Sequence, residues 1–384
     1  MSDKNVLSLK DLLSPSSILR LLTAGAKKTV TELKELNTLI TQIGRENASL
    51  SMEDLDRLSQ SSLETASRYG RNAADYLSEV SRAFRTGYQD AEGMAELSLA
   101  LQNAGGVTAE LASQLVTTMD RAYQLGGSVD SLTQILDGCS QITQHNDASF
   151  AQLAQGMSLA GSAAASLGVD AGETAAALGT MIAATHQGGA EAANAFNALL
   201  LSIGQVSDTE AGIDTESLAR YEDACRSLGV SLKETRDGML ALRDPMDVLR
   251  ELSDAYNALD DSDTRKDSLL AAVGGDVDTS QIDALLRHWD IYESMLGQYT
   301  NGSGSLAAAA QEHADSWEGS LNRLSNTWSG FVGNLADTDG VTAAIDGLNS
   351  LLSAAGSVTE RLGALGTVGA GAGLLAGLKN VGMA

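Results

Sequence analysis

Residues that could do chemistry are few in this chain, and they are scattered. The four histidines, His145, His186, His288 and His313, make no His-x3-His pair, and Cys139 and Cys225 make no Cys-x-x-Cys clamp, so the common metal-ligand spacings are absent. A serine nucleophile of the hydrolase type sits in a Gly-x-Ser-x-Gly elbow after a strand. Gly302-Ser303-Gly304 lies instead in a polar run with no strand pattern before it. No Gly-x4-Gly-Lys-Ser/Thr phosphate loop occurs. The glycines between Gly366 and Gly377 look like a dinucleotide loop only superficially, because no strand leads into them. Asp260, Asp261 and Asp263 precede Arg265-Lys266 without the later Gly and Glu of a calcium loop, and they read as a solvated helix end. Carboxylate pairs are so abundant here that none is informative. The expectation is a protein with no catalytic residues, no metal site and no cofactor.

The elements that carry these residues are helical. Pro15 and Pro245 are the only prolines and aromatics make up 4% of 384 residues, while Ala, Leu, Ser and Gly dominate. That composition argues for an all-α protein of two or three domains. The formal charge is −25, from 25 basic and 50 acidic residues. Residues 1–50 hold seven Lys/Arg against five Asp/Glu, so the acidic excess lies in the remainder. Such a surface repels phosphate, and nucleic-acid binding is not expected. Two distant cysteines give no disulfide framework, and MSDKNVLSLKDLLSP has no apolar core of signal-peptide length.

The most informative stretch is Ala151 to Ile203. Leu153, Met157, Ala160, Ala164 and Leu167 recur at steps of four, three, four and three, one helical face. Gly168 stops that helix. Asp170 opens a second with Glu173 three residues on, a capping box, and Gly188-Gly189 is expected to end it. Phe196, Leu199, Leu200 and Ile203 mark a third. Upstream, residues 26–44 read as an amphipathic helix, residues 52–104 as helix interrupted near Gly70 and Gly87, Thr108 as the start of a helix to about Leu125, and residues 129–136 as another. Leu167-Gly168-Val169-Asp170…Glu173-Thr174 is echoed by Leu228-Gly229-Val230-Ser231…Glu234-Thr235, which predicts a second helix-turn-helix corner. Between 236 and 249 lies the only extended piece expected, because Pro245 disfavours the helical region for Asp244. NGSGS (301–305) reads as a linker or exposed turn.

Two features suggest contacts. Trp317, Leu321, Leu324, Trp328, Phe331 and Leu335 fall at steps of four, three, four, three and four, a heptad seam flanked by Asn322, Arg323 and Asn326. It could serve as core, as a self-association interface or as a partner-docking face. Residues 363–378 contain no ionisable side chain and place Gly369, Gly373 and Gly377 at every fourth position, the small-xxx-small spacing of membrane-helix packing. The run is shorter than the roughly 20 residues that span a bilayer. The expected organisation is an amphipathic lead-in (1–50), a helical core (51–300), the Trp-containing heptad helix (301–340), and a Gly/Ala/Leu tail (341–384).

LAGSAAASLGVDAGETAAALGTMIAATHQGGAEAANAFNALLLSI closely resembles the central region of phage tail tape measure proteins, and TELKELNTLITQIGREN, GYQDAEGMAELSLALQNAG and SWEGSLNRLSNTWSGFVGNL resemble other segments of that family. The resemblance runs over about residues 27–340. Where the family carries D-x-x-G before the P…D-V-L segment, this chain has Asp237 directly followed by Gly238, a tightened turn. The resemblance implies a structural protein that sets tail length inside the tube and leaves before the DNA. It implies tail-assembly chaperones, the tube protein and tail-tip proteins as partners, and self-association. It also implies the host cytoplasm during assembly, the tail lumen in the virion, and transient host-membrane contact during ejection through 363–378. Family members carry extended coiled-coil repeats after this region; their absence implies a shortened copy or a fragment. Two other readings fit the residues alone: a soluble helical binding module using the Trp seam, and a membrane-perturbing protein acting through 341–384.

Overall fold

Capping chemistry punctuates the chain, and the helices follow from it. The structure, a computed structural model, describes residues 35–204, 215–236, 239–273, 277–316, 319, 322, 323 and 325–327. The Trp317–Leu335 seam positions and Gly369, Gly373 and Gly377 lie outside these residues, as do most of the lead-in and all of the tail. A helical stretch over 35–46 is followed by α1 (Met52–Arg68), α2 (Ala73–Thr86), α3 (Ala91–Gly105), α4 (Ala109–Ala122), α5 (Val129–His145), α6 (Phe150–Ser166), α7 (Ala171–Thr185), α8 (Gly189–Gly204) and α9 (Thr215–Ser227). After the hairpin β1 (Lys233–Arg236) and β2 (Met239–Leu242) come α10 (Pro245–Asn257), α11 (Thr264–Ala272), α12 (Thr279–Arg287), α13 (Trp289–Thr300) and α14 (Ser305–Ala314). The fold is all-α.

Ser51, Asn72, Thr108, Ser128, Ser149, Asp170, Asp244, Asp263 and Asp278 each accept a backbone N–H at a helix start, satisfying donors that have no partner within the helix. The box expected at Asp170 and Glu173 is present in both directions. Gly87 and Gly168 close α2 and α6 in the left-handed region, at φ 99° and 86°.

The chain divides into two units: residues 1–99 with 311–384, and residues 100–310. In the first, α1 packs on α2. Glu96 accepts from Arg68 (3.0 Å) and from the Tyr69 hydroxyl (3.1 Å), and buried Glu79 accepts from Ser98 (2.9 Å). Asn322 donates to the Gly70 carbonyl (2.8 Å) and Asn326 to that of Arg71 (2.7 Å). The polar residues that flank the Trp seam in sequence thus hold the α1–α2 corner.

The second unit is organised around α7, which packs against α5, α6, α8, α12 and α13. A helix enclosed on all sides must be apolar all round and slim. AGETAAALGTMIAAT meets that demand, with only Glu173 ionisable. α6 and α8 lie beside each other and run in the same direction, α7 returning between them. Gly189 at the start of α8 sits against Gln152, Asn197 donates to the Leu159 carbonyl (3.3 Å), and Gly204 at the end meets Leu167.

Four expectations need correction. α7 ends at Thr185 with His186 in the left-handed region, and Gly189 begins α8 instead of ending α7. Its lack of a side chain serves packing: a Cβ there would lie 1.8 Å from the Gln152 carbonyl oxygen. The helix read at 129–136 runs on to His145. The echo at 228–235 holds only for its first half. Val230 N–H bonds back to the Cys225 carbonyl as Val169 does to Ala164, but Lys233–Arg236 then enters a strand instead of a helix. The reason lies downstream, where β2 pairs with β1 in the register Arg236↔Met239. That register leaves Asp237-Gly238 between the strands, a pair suited to two-residue hairpin connections. The extended piece therefore begins three residues before the expected 236 and ends at Leu242. Asp244 is non-helical at ψ 127°, as Pro245 requires, and caps α10.

Candidate functional site

Among the described residues no group of three His, Cys, Asp or Glu side chains could hold a metal. His145 is tied to the Gln141 carbonyl, and exposed His186 lies 3.3 Å from Asp147. Burial pushes the Cys139 and Cys225 thiols up to about 12, which keeps them as unreactive packing groups. The histidines and cysteines are not brought together.

What the geometry does build is a tightly fitted helix scaffold joined by side chains far apart in sequence. Tyr299 on α13 passes between α5 and α7 where both carry glycine: a Cβ at Gly138 would lie 2.3 Å from its ring, and one at Gly172 would lie 2.7 Å away. Burial raises the Tyr299 phenol well above its usual value. Gly179 gives room to Met295, and Gly161 to Met119.

Asp137 is the least expected member. It is 5% exposed on α5, and its carboxylate accepts the Gly304 N–H (2.7 Å) and the Leu306 N–H (2.9 Å). A carboxylate 167 residues away in sequence thus caps α14, where free N–H groups and the helix dipole favour negative charge. Gln144 bridges Ser140 (2.9 Å) and Ser305 (2.8 Å) beside it. NGSGS, read as a linker or exposed turn, is an ordered turn in which Gly302 and Ser305 are buried. No sequence signal marks Asp137. Its neighbours on that face of α5, Thr133, Gln134, Ser140 and Gln141, are polar as well.

A second cross-link gathers α10, α11 and α12. The Tyr256 hydroxyl donates to Asp283 (2.5 Å), and Arg287 donates to Asp283 (2.8 and 2.9 Å) and to Asp261 (2.9 Å). Lys266, 4% exposed, lies 4.9 Å over the Tyr256 ring and 3.2 Å from Asp261. The Arg287 guanidinium, with Lys266, holds the Asp261 carboxyl below its usual range. The acidic run at 260–263 is therefore paired as well as solvated, with Asp263 capping α11. Arg243 similarly ties the hairpin to α10, donating to both carboxylate oxygens of Glu251.

This arrangement positions helices. No helix among the described residues is long and apolar enough to cross a membrane. No solved structure matches the chain. The family model for phage-related minor tail proteins matches residues 58–275, more than half of the chain and most of the scaffold just described. The chain therefore belongs to the phage-related minor tail protein family, and its role is that of a structural protein of the tail.

Proposed function

We propose that this protein is the tail-length tape measure, held in the tail tube during assembly and expelled before the DNA. The observation that carries the reading is the overlap of two signals on the same helices. The family match spans 58–275, and the wording that resembles tape measure proteins occupies α6, α7 and α8 within it. A ruler function has a simple physical basis, since a continuous helix of 384 residues would span at most about 580 Å at 1.5 Å per residue. Helices that return on themselves, as α6 to α8 do, add less than this while folded. The length would be supplied by segments held extended in the tube. Tail-assembly chaperones would shield the Ala-rich helices before the tube closes, and tube and tip proteins would contact the chain afterwards. The charge of −25 suits a chain that shares a channel with DNA without binding it, because like charge prevents adhesion.

The test is genetic and biochemical. Deleting the gene should abolish tails of defined length, and supplying it in trans should restore them. Mass spectrometry should find the chain in purified intact tails and lose it after ejection is triggered. A chain absent from intact tails, or retained in full after ejection, would overturn the proposal.

A further inference from the structure

We propose that Asn301 is a deamidation site that the turn between α13 and α14 holds silent, so that opening of this turn is recorded as a permanent change in the chain. Asn301-Gly302 is the only Asn-Gly pair among the 384 residues, and Gly302 has no side chain to shield its nitrogen from the asparagine beside it. The reaction needs only water. The Gly302 nitrogen gives up its proton and bonds to Asn301 Cγ, the Cγ–Nδ2 bond breaks, and ammonia leaves with that proton. Water then opens the five-membered imide at one of its two carbonyls. One product carries aspartate at 301. In the other, isoaspartate, the backbone runs through the side-chain carboxyl.

The folded turn blocks the first step at both reacting groups. Asn301 has φ −98° and ψ 13°, which sets the Gly302 nitrogen almost eclipsed with the Asn301 nitrogen and off the Cβ side, where the ring must close. Reaching Cγ means rotating the planar peptide unit about the Cα–C bond. That rotation breaks the bond from the Gly302 N–H to the Tyr299 carbonyl (3.1 Å). The amide is held as well, Nδ2 donating to the Gly297 carbonyl (2.7 Å). Asn301 is exposed but Gly302 is buried, and a Cβ there would lie 2.7 Å from the Asp137 carbonyl oxygen and 2.8 Å from Gly138 Cα. Asp137 pins the turn further on by accepting from Gly304 and Leu306, and Gln144 by donating to Ser305. Reaction therefore waits on local opening, whose rarity sets the rate.

Once the reaction has occurred, the turn does not close as before. Isoaspartate adds one methylene to the backbone, about 1.5 Å of chain, beside a Gly302 that has no room for even a methyl group. The new carboxylate also stands at the C-terminal end of α13, where the helix dipole disfavours negative charge. Gly304 and Leu306 are then drawn off Asp137, and α14 loses the cap that joins it to α5. This rests on the geometry of the turn and not on the length-control reading.

The test is mass spectrometry of the full chain aged at neutral pH, folded and in guanidinium, following deamidation of the peptide that contains Asn301. The folded chain should react at least about a hundredfold more slowly, because only the open fraction is reactive. Asp137→Ala, with its helical circular dichroism retained, should speed the folded chain at least about tenfold. Should that variant unfold, Gln144→Ala removes the bridge to Ser305 alone from the turn's supports and should act in the same direction. Wild type aged in guanidinium and then refolded should show fast amide exchange at Gly304 and Leu306. Asn301→Gln, aged and refolded in the same way, should not, and it controls for change at every other residue. Equal rates in the folded and unfolded chains, or no acceleration in a folded variant, would overturn the proposal. So would native exchange at Gly304 and Leu306 in refolded wild type whose Asn301 has reacted.

Discussion

Replacing Gly189 by alanine would put a methyl group where two helices meet backbone to backbone. The new Cβ would stand 1.8 Å from the Gln152 carbonyl oxygen, 2.8 Å from its carbonyl carbon and 2.9 Å from the Gly156 nitrogen. Real contacts essentially never fall below 3.0 Å, so the start of α8 must retreat from α6 by at least about 1.2 Å. No side chain can give way, because all three atoms are backbone. α8 also packs on α7 and α12, so the displacement spreads into the centre of the unit. Overpacking of this kind costs about 1–3 kcal/mol, and the gain in helix propensity, up to about 1 kcal/mol, is small at a first helical position. A net loss near 2 kcal/mol lowers the melting temperature of a unit of this size by about 4–8 °C. Scanning calorimetry of the wild-type and Gly189→Ala chains measures this directly, with hydrogen exchange of α6 and α8 locating it. A melting temperature unchanged within a degree, with unaltered exchange, would refute the packing argument.

Further perturbations probe the other elements. Gly297→Ala has the opposite sign: a Cβ there meets nothing within 4 Å, so α13 should gain up to about 1 kcal/mol, and a lower melting temperature would show that the site is not open. Asp137→Asn removes the charge and turns an N–H group toward a backbone donor. It should cost about 1.5–3 kcal/mol and speed amide exchange at Gly304 and Leu306, and unchanged exchange there would exclude capping by Asp137. Burial, with Asp170, Asp244 and Asp247 nearby, raises the Glu173 carboxyl above its usual value. Its folded form therefore favours the proton, and the associated stability is present below the unfolded value near 4.3 and lost as pH rises through the folded one. Glu173→Gln keeps the acceptor for the Asp170 N–H, so its melting temperature should gain on wild type between pH 4 and pH 7. Parallel curves would contradict this sign.

How much was legible in the sequence depended on the range of the interaction. The Asp170–Glu173 box, the breaks at Gly70 and Gly87 and the cap at Thr108 follow from contacts within four residues. Each could be read from the order of residue types. The strand at Lys233 could not be read from Leu228-Gly229-Val230, because its pairing partner lies beyond Asp237-Gly238. Gly189 looked like a helix stop because glycine often serves there, yet its role is close approach to a helix 37 residues earlier. Asp137 and Tyr299 act across more than a hundred residues, and nothing local distinguishes them from a solvated acid or an ordinary core aromatic. An alanine-rich α7 signals burial on all sides without naming its neighbours. The Trp317–Leu335 seam and the 363–378 run lie outside the described residues, so their roles rest on sequence alone.

The central claim is that this chain sets tail length, and an inserted ruler segment tests it most directly. Adding 21 residues of heptad helix after Gly340 in the phage gene should lengthen tails by about 32 Å, at 1.5 Å per residue, as measured by electron microscopy of purified particles. Twice the insertion should give twice the increment. Tails of unchanged length around a stably incorporated, longer chain would contradict the account and leave the protein a structural component of the tail without a measuring role.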